Sequence, residues 1–231
     1  MLQQALVIYG VYTAQIAVCD GELEHYLQRM EVRSGDPTAP LPDLPPAKTD
    51  SHSKNAPNFN ARAHYARLLG VDLVAVMGLS SSSVQTIISE IGTDMSRFST
   101  VKHFCAWLGL APRNDISGGK VLRSRTRKVT NRATQAFRQA AQSVSRSDSA
   151  VGAYRSMRAR KGPEQATVAT AHKIARIVYH LLKYGEAYEA ESAAAYEQQR
   201  QERELRQLSR RAAKLGYTLA PVQELLADTS P

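Results

Sequence analysis

The sequence predicts a mainly α-helical protein, and three observations carry that reading. Apolar residues recur every three or four positions through most of the 231 residues, helix-starting and helix-ending residues punctuate those runs, and only the stretch 114–130 breaks the pattern. From Leu2 the apolar positions step through Leu6, Tyr9, Tyr12, Ile16, Cys19, Leu23, Tyr26 and Met30, a narrow seam close to heptad spacing. Such a helix wants a partner, either another helix of this chain or a second copy. Residues 34–60 hold six of the ten prolines and read as an extended linker.

Beyond the linker, 61–69 and 71–77 read as short helices broken at Gly70, and 81–91 as a third, entered through Gly78-Leu79-Ser80. Thr100 is a cap for a helix to Leu108, ended by the turn Gly109 to Pro112. The run 114–130 sets six charged residues against Ile116, Val121, Leu122 and Val129, which predicts a loop or short hairpin. Helices follow over 131–146, 149–161, 163–184 with a proline at its start, and 186–215. The predicted organisation is a coiled helix at 1–33, a Pro-rich linker at 34–60, a helical domain at 61–188, and a C-terminal helix and tail at 189–231.

Composition bounds the function. A hydrophobic content of 43% with 22% charged residues is that of a globular chain. The two cysteines, Cys19 and Cys105, lie far apart among apolar neighbours, which predicts buried thiols and excludes a cysteine metal site. Apolar runs such as 73–77 are too short to cross a bilayer, so the expectation is a soluble, cytoplasmic protein with no membrane partner.

Charge is unevenly spread. Between Arg97 and Gly185 there are eighteen Lys or Arg and three acids, Asp115, Asp148 and Glu164. That surplus exceeds the whole chain's net +9, so the flanks are net acidic. A concentrated positive segment points to nucleic acid, because each phosphate neutralised releases counterions; the alternative is a solvated basic face.

Within it, Ser117-Gly118-Gly119-Lys120 places a hydroxyl on a glycine-freed turn, and Arg113, Lys120, Arg123, Arg125, Arg127 and Lys128 supply cations to clamp a phosphate. The competing reading is a basic turn that only binds DNA. A Walker phosphate loop is excluded, since Asn114 stands where glycine is required and Val121 follows Lys120. Residues 76–84 have the layout of a helix-hairpin-helix, in which Gly78 and Ser80 would offer backbone amides to a phosphate; a plain helical turn is the alternative. The six histidines form no HExxH, and carboxylates are too sparse in the basic segment for a two-metal nuclease, so no metal ligand is assigned.

Several motifs occur in a recognisable order. Ile88 to Phe98 (ISEIGTDMSRF), Trp107 to Pro112 (WLGLAP), Ser117 to Lys120 (SGGK), Ala171 to Arg176 (AHKIAR) and Leu181 to Gly185 (LLKYG) make 70–188 closely resemble the C-terminal half of DEDD-type transposases of the insertion-sequence one-ten family. With both terminal helices, the likeness extends over essentially the whole chain. The resemblance implies a bacterial, nucleoid-associated recombinase that cuts and rejoins DNA, with Ser117 as covalent nucleophile and Gly118, Gly119 and Lys120 shaping its loop. It also implies a RuvC-like domain with four acids and magnesium, a structured guide RNA, and a dimer or tetramer. No such acidic domain precedes the coiled helix in this sequence. The expectation is therefore a truncated or split transposase that binds nucleic acid without completing transposition alone, the alternative being a non-enzymatic nucleic-acid-binding module.

Overall fold

A computed structural model describes residues 1–30, 40–46, 56–145, 151–188 and 193–219. The mainly helical class is borne out: among these residues there are eight α-helices and one two-stranded sheet. In chain order they are α1 (Leu2–Arg29), α2 (Ala61–Leu69), α3 (Ser81–Ile91), α4 (Val101–Trp107), β1 (Pro112–Ser117), β2 (Lys120–Thr126), α5 (Arg132–Val144), α6 (Val151–Lys161), α7 (Pro163–Tyr184) and α8 (Ala193–Lys214). Residues 1–190 form one compact unit and 191–231 a second, to which α8 belongs.

The core of the first unit is centred on α5 and α7. Helix α5 buries Ala133, Ala136, Phe137, Ala140, Ala141 and Val144, and α7 buries Ala171, Ile174, Ala175, Val178, Tyr179 and Leu182. The alanines let the backbones come close, while the large rings fill the space between. Phe104 of α4 sits at the middle, its ring 5.0 Å from Phe98, 5.7 Å from Tyr179 and 6.5 Å from Phe137. Tyr179 cannot bury its hydroxyl unpaired, and it donates to the Phe98 carbonyl at 3.0 Å. Lys183, one turn on, donates to that hydroxyl at 2.8 Å and to the Ser99 carbonyl at 3.0 Å. The bond to Tyr179 raises the lysine's pKa.

Local signals explain most element ends. The Thr100 hydroxyl accepts from the His103 amide at 3.2 Å and starts α4; Pro163 opens α7 and Gly185, left-handed at φ 72°, closes it. Three expectations need correction. Residues 71–77 form only a 3-10 turn, Leu73–Ala75, because Gly70 (φ 71°) and Gly78 (φ 92°) both leave the helical region and the chain between them is fixed by Asp72. The Asp72 carboxylate accepts from the Val74 amide and from Arg62, whose Nη2 lies 2.6 Å away. The last helix does not begin at 186, since 185–188 are non-helical after Gly185; residues 189–192 lie outside the described ones, and α8 is described over Ala193–Lys214. Cys105 is buried as expected, its thiol pushed up to about 11 by burial against the opposing pull of Arg176, but Cys19 is exposed.

Helix α1 attaches through its C-terminal end. The Asp20 carboxylate accepts from the Asn58 amide at 3.0 Å, His64 Nε2 lies 3.1 Å from Glu24, and Arg67 donates to the Leu27 carbonyl at 3.2 Å. Leu27 is buried, but Leu6, Tyr9, Tyr12 and Ile16 of the seam are exposed. A further correction follows. Judged by contiguous apolar residues nothing here is long enough to span a bilayer, yet α1, exposed over Leu2 to Cys19, is long and apolar enough to do so by length and composition. Leu2 to Cys19 carries glutamine, threonine and tyrosine but no charge. The core helix of a soluble protein and an N-terminal signal sequence pass the same test.

Candidate nucleic-acid interface

The stretch 114–130 is a hairpin, as one of its two expected forms, and its pairing begins at Pro112. Both of its ends are fixed to the helical core. Gly109, at φ 64°, closes α4, and a Cβ added there would stand 2.6 Å from Val129 Cγ2 and 3.1 Å from the Arg127 carbonyl oxygen, so only glycine lets the outgoing chain pass this close. The buried Thr134 hydroxyl then donates to the Leu108 carbonyl at 2.6 Å, tying the start of α5 to the end of α4. Between these anchors residues 112–125 are all exposed.

The turn is set by backbone conformation. Gly118 (φ 55°) and Gly119 (φ 76°) are consecutive left-handed residues, the requirement of a type I′ turn, and a Cβ on either would meet open space. Ser117 and Lys120 therefore face each other across the tip.

Register decides what accompanies them. Ser117 pairs with Lys120 and Ile116 with Val121, but Asp115 pairs with Arg123, because the ladder is irregular between Asp115 and Ile116 and Leu122 is the extra residue of a β-bulge. Arg113 then pairs with Arg125. Side chains alternate faces along a strand. With the bulge, Ser117, Asp115 and Arg113 share one face with Lys120, Arg123 and Arg125; without it, both arginines of β2 would fall on the opposite face. The reverse face carries Ile116 and Val121, 64% and 56% exposed.

The electrostatics of the Ser117 face are one-sided. Its only acid is Asp115, whose carboxylate lies 4.0 Å from Arg113 Nε. Arg113 and Arg125 stand directly opposite each other, an arrangement that costs a hairpin up to about 1 kcal/mol. A polyanion laid along this face removes that repulsion. Arg127 and Lys128 are exposed where β2 leaves for α5 and continue the positive surface. The Ser117 hydroxyl makes no hydrogen bond to a described residue.

Gly78 and Ser80 lie elsewhere. A Cβ on Gly78 would stand 2.5 Å from Val144 Cγ2 and 2.6 Å from the Ala140 carbonyl oxygen, so the packing of α5 accounts for this glycine. Ser80 caps α3, its hydroxyl 3.3 Å from the Ser83 amide and 3.0 Å from both the Ser82 and Ser83 hydroxyls. Immediately ahead of Gly78 the chain forms only the 3-10 turn Leu73–Ala75, and the nearest α-helix before it is α2, which ends at Leu69. What sequence reasoning missed is the bulge at Leu122, which no spacing reveals until the strand partners are known, and the exposed face of α5, which carries two arginines and three glutamines and no acid.

Among the described residues no three His, Cys, Asp or Glu side chains come together, and Asp115 faces guanidinium groups.

Residues 71–156 match the family model described as Transposase IS116/IS110/IS902 family. The matched stretch contains α3, α4, the whole hairpin, α5 and the start of α6. No curated protein matches the chain. The family match supports a transposition-related function for this stretch, and the surface described above is inside it.

Proposed function

We propose that the chain acts in DNA transposition, with the Ser117 face of the hairpin as the surface that receives a phosphodiester. The observation that carries this reading is the bulged register, which aligns four cations with an exposed hydroxyl at the tip of a hairpin inside the transposase-matched stretch. Arg113, Lys120, Arg123 and Arg125 hold the non-bridging oxygens and draw charge from the phosphorus. Ser117 Oγ forms a bond to phosphorus as one bridging P–O bond breaks; the serine gives up its proton, and the released sugar oxygen takes one. The phosphoserine keeps the ester's bond energy, so the reverse attack by a sugar hydroxyl rejoins a strand. Gly118 and Gly119 hold the tip open, and Arg127 and Lys128 extend the contact along the backbone.

A structured guide RNA and a second copy of the chain are further partners of this reading. The uncharged, exposed residues of α1 are the surface on which a second copy would pack.

A second reading has its own support. Among the described residues no base is bonded to the Ser117 hydroxyl, and the acid on its face, Asp115, lies 4.0 Å from Arg113 Nε; a hairpin that only binds DNA needs neither a base nor a free acid. Denaturing electrophoresis on nicked duplex DNA separates the two. A protein–DNA adduct formed by the wild type and absent in Ser117→Ala, with binding retained, supports the nucleophile. An adduct that survives the substitution removes Ser117 from that role, and binding without any adduct under any condition favours the module.

A further inference from the structure

We infer that the exposed face of α5 is a second DNA-contacting surface, one that reads base edges in the major groove of a duplex whose backbone the hairpin holds. The inference rests on the hairpin reading above. At 3.6 residues per turn, Arg132, Gln135, Arg138, Gln139 and Gln142 fall within one stripe of about 120°, and all five are exposed. They line a groove of about 680 Å³ that runs from Val129 at the hairpin exit along the helix.

The chemistry of the stripe is selective. Helix α5 contains no Asp, Glu or Lys; its exposed charges are two guanidinium groups, and three amides lie among them. An ordinary solvated face mixes signs, as α8 does, where Arg206 pairs with Glu202 at 3.0 Å one turn away. Guanidinium and primary amide are the two groups that make paired hydrogen bonds to guanine and adenine edges. Glu90, an acid that reaches this side, is bonded to Arg132 at 2.6 Å and fixes that side chain at the first turn.

Continuity and shape select duplex DNA as the occupant. Arg127 and Lys128 stand where the groove begins, so a duplex gripped at its phosphates by the hairpin lies beside α5. An α-helix fits the major groove of B-form DNA, whereas the deep, narrow major groove of A-form RNA excludes it.

The test is selection by the full chain from a pool of short DNA duplexes with a randomised core, run in parallel for wild type, Arg138→Ala/Gln139→Ala and Arg123→Ala/Arg125→Ala, with affinities measured on the enriched sequences and on an RNA duplex. The expected result is a purine-containing motif enriched about tenfold or more by wild type, lost or changed in the α5 variant, and retained at weaker overall affinity in the hairpin variant. Wild type enriching no motif, the α5 variant enriching the same motif, or equal affinity for RNA duplex each overturns the inference. If the hairpin variant binds as tightly as wild type while the motif persists, the hairpin reading fails and the α5 surface stands.

Discussion

The hairpin and α1 both present apolar side chains to solvent from the same folded unit, yet they do so on opposite terms. In the hairpin, Ile116 and Val121 are the reverse side of a face carrying four cations, and its geometry is specified internally by two left-handed glycines and a bulge. In α1, residues 2–19 carry no charge and are exposed, with none of the described residues of the first unit covering them; among the described residues it is the end from Asp20 to Leu27 that is tied to α2 and its approach. A surface that recognises a polyanion can be complete in one copy, because water solvates its cations until phosphate replaces it. A surface made of Leu6, Ile8, Tyr12 and Ile16 is finished only by burial, at roughly 25 cal/mol for each Å² of apolar area covered.

The sharpest way to break this comparison is to delete Leu122. All four cations remain, but Arg123 and Arg125 move to the face of Ile116. Two charge-assisted phosphate contacts are lost, so DNA affinity at low salt should fall by about a hundredfold with an unchanged helical circular dichroism spectrum. Unchanged affinity in a fluorescence anisotropy titration would mean that the shared face is irrelevant.

Glycine substitutions sharpen the same contrast between built-in and packed features. Gly78→Ala forces a Cβ against the α5 backbone at a positive φ and should lower unfolding free energy by about 3 kcal/mol in urea titration. Gly119→Ala meets open space and bears only the conformational cost, about 1 kcal/mol. Equal losses at both sites would sink the packing account of Gly78.

Titration probes the core beneath both regions. Burial raises Cys105 to about 11 from 9.0, and burial with the Asp20 charge raises Tyr65 to about 12 from 10.0. A raised folded-state pKa gives stability that is whole below the unfolded value and lost as pH climbs through the folded one. Melting temperature should therefore decline from pH 9 towards 12, more gently in Cys105→Ala than in wild type. On the acid side, burial and then Arg176 lower His172 below 6.5, so its contribution fades as pH drops below that value and should vanish in His172→Gln.

The smallest effect on stability is expected from Leu6→Lys with Ile16→Lys. Neither side chain is buried, so thermal unfolding should change by less than about 0.5 kcal/mol. Light scattering should nonetheless report a lower mass if a second copy packs on α1; an unchanged mass assigns those residues to another partner.

Capping chemistry made several elements readable before any coordinates. Thr100, Pro163 and Gly185 act at short range, and α4 and α7 begin and end where those residues say. The tip was readable for the same reason, since consecutive glycines between Ser117 and Lys120 demand a tight turn. Long-range features were not. The 3-10 turn at Leu73–Ala75 depends on the glycines flanking it and on Arg62 reaching Asp72, and Gly78 answers to α5 more than sixty residues later. The bulge was invisible because alternation read along β2 alone puts Arg123 and Arg125 on one face without saying whose face it is. The apolar reach of α1 is missed by counting uninterrupted runs, because between Leu2 and Cys19 the Leu, Val, Ile, Ala and Cys residues outnumber the glutamines, tyrosines and threonine that interrupt them and no charge falls among them.

The clamp at the hairpin's root, Gly109 against Val129 and Thr134 against Leu108, has a consequence for how such a molecule changes over generations. Every position from 112 to 125 hangs outside the packed interior, so substitutions there leave the helices beneath untouched. The hairpin is an exchangeable cassette on a fixed mount, whose residues can change while the scaffold stays the same.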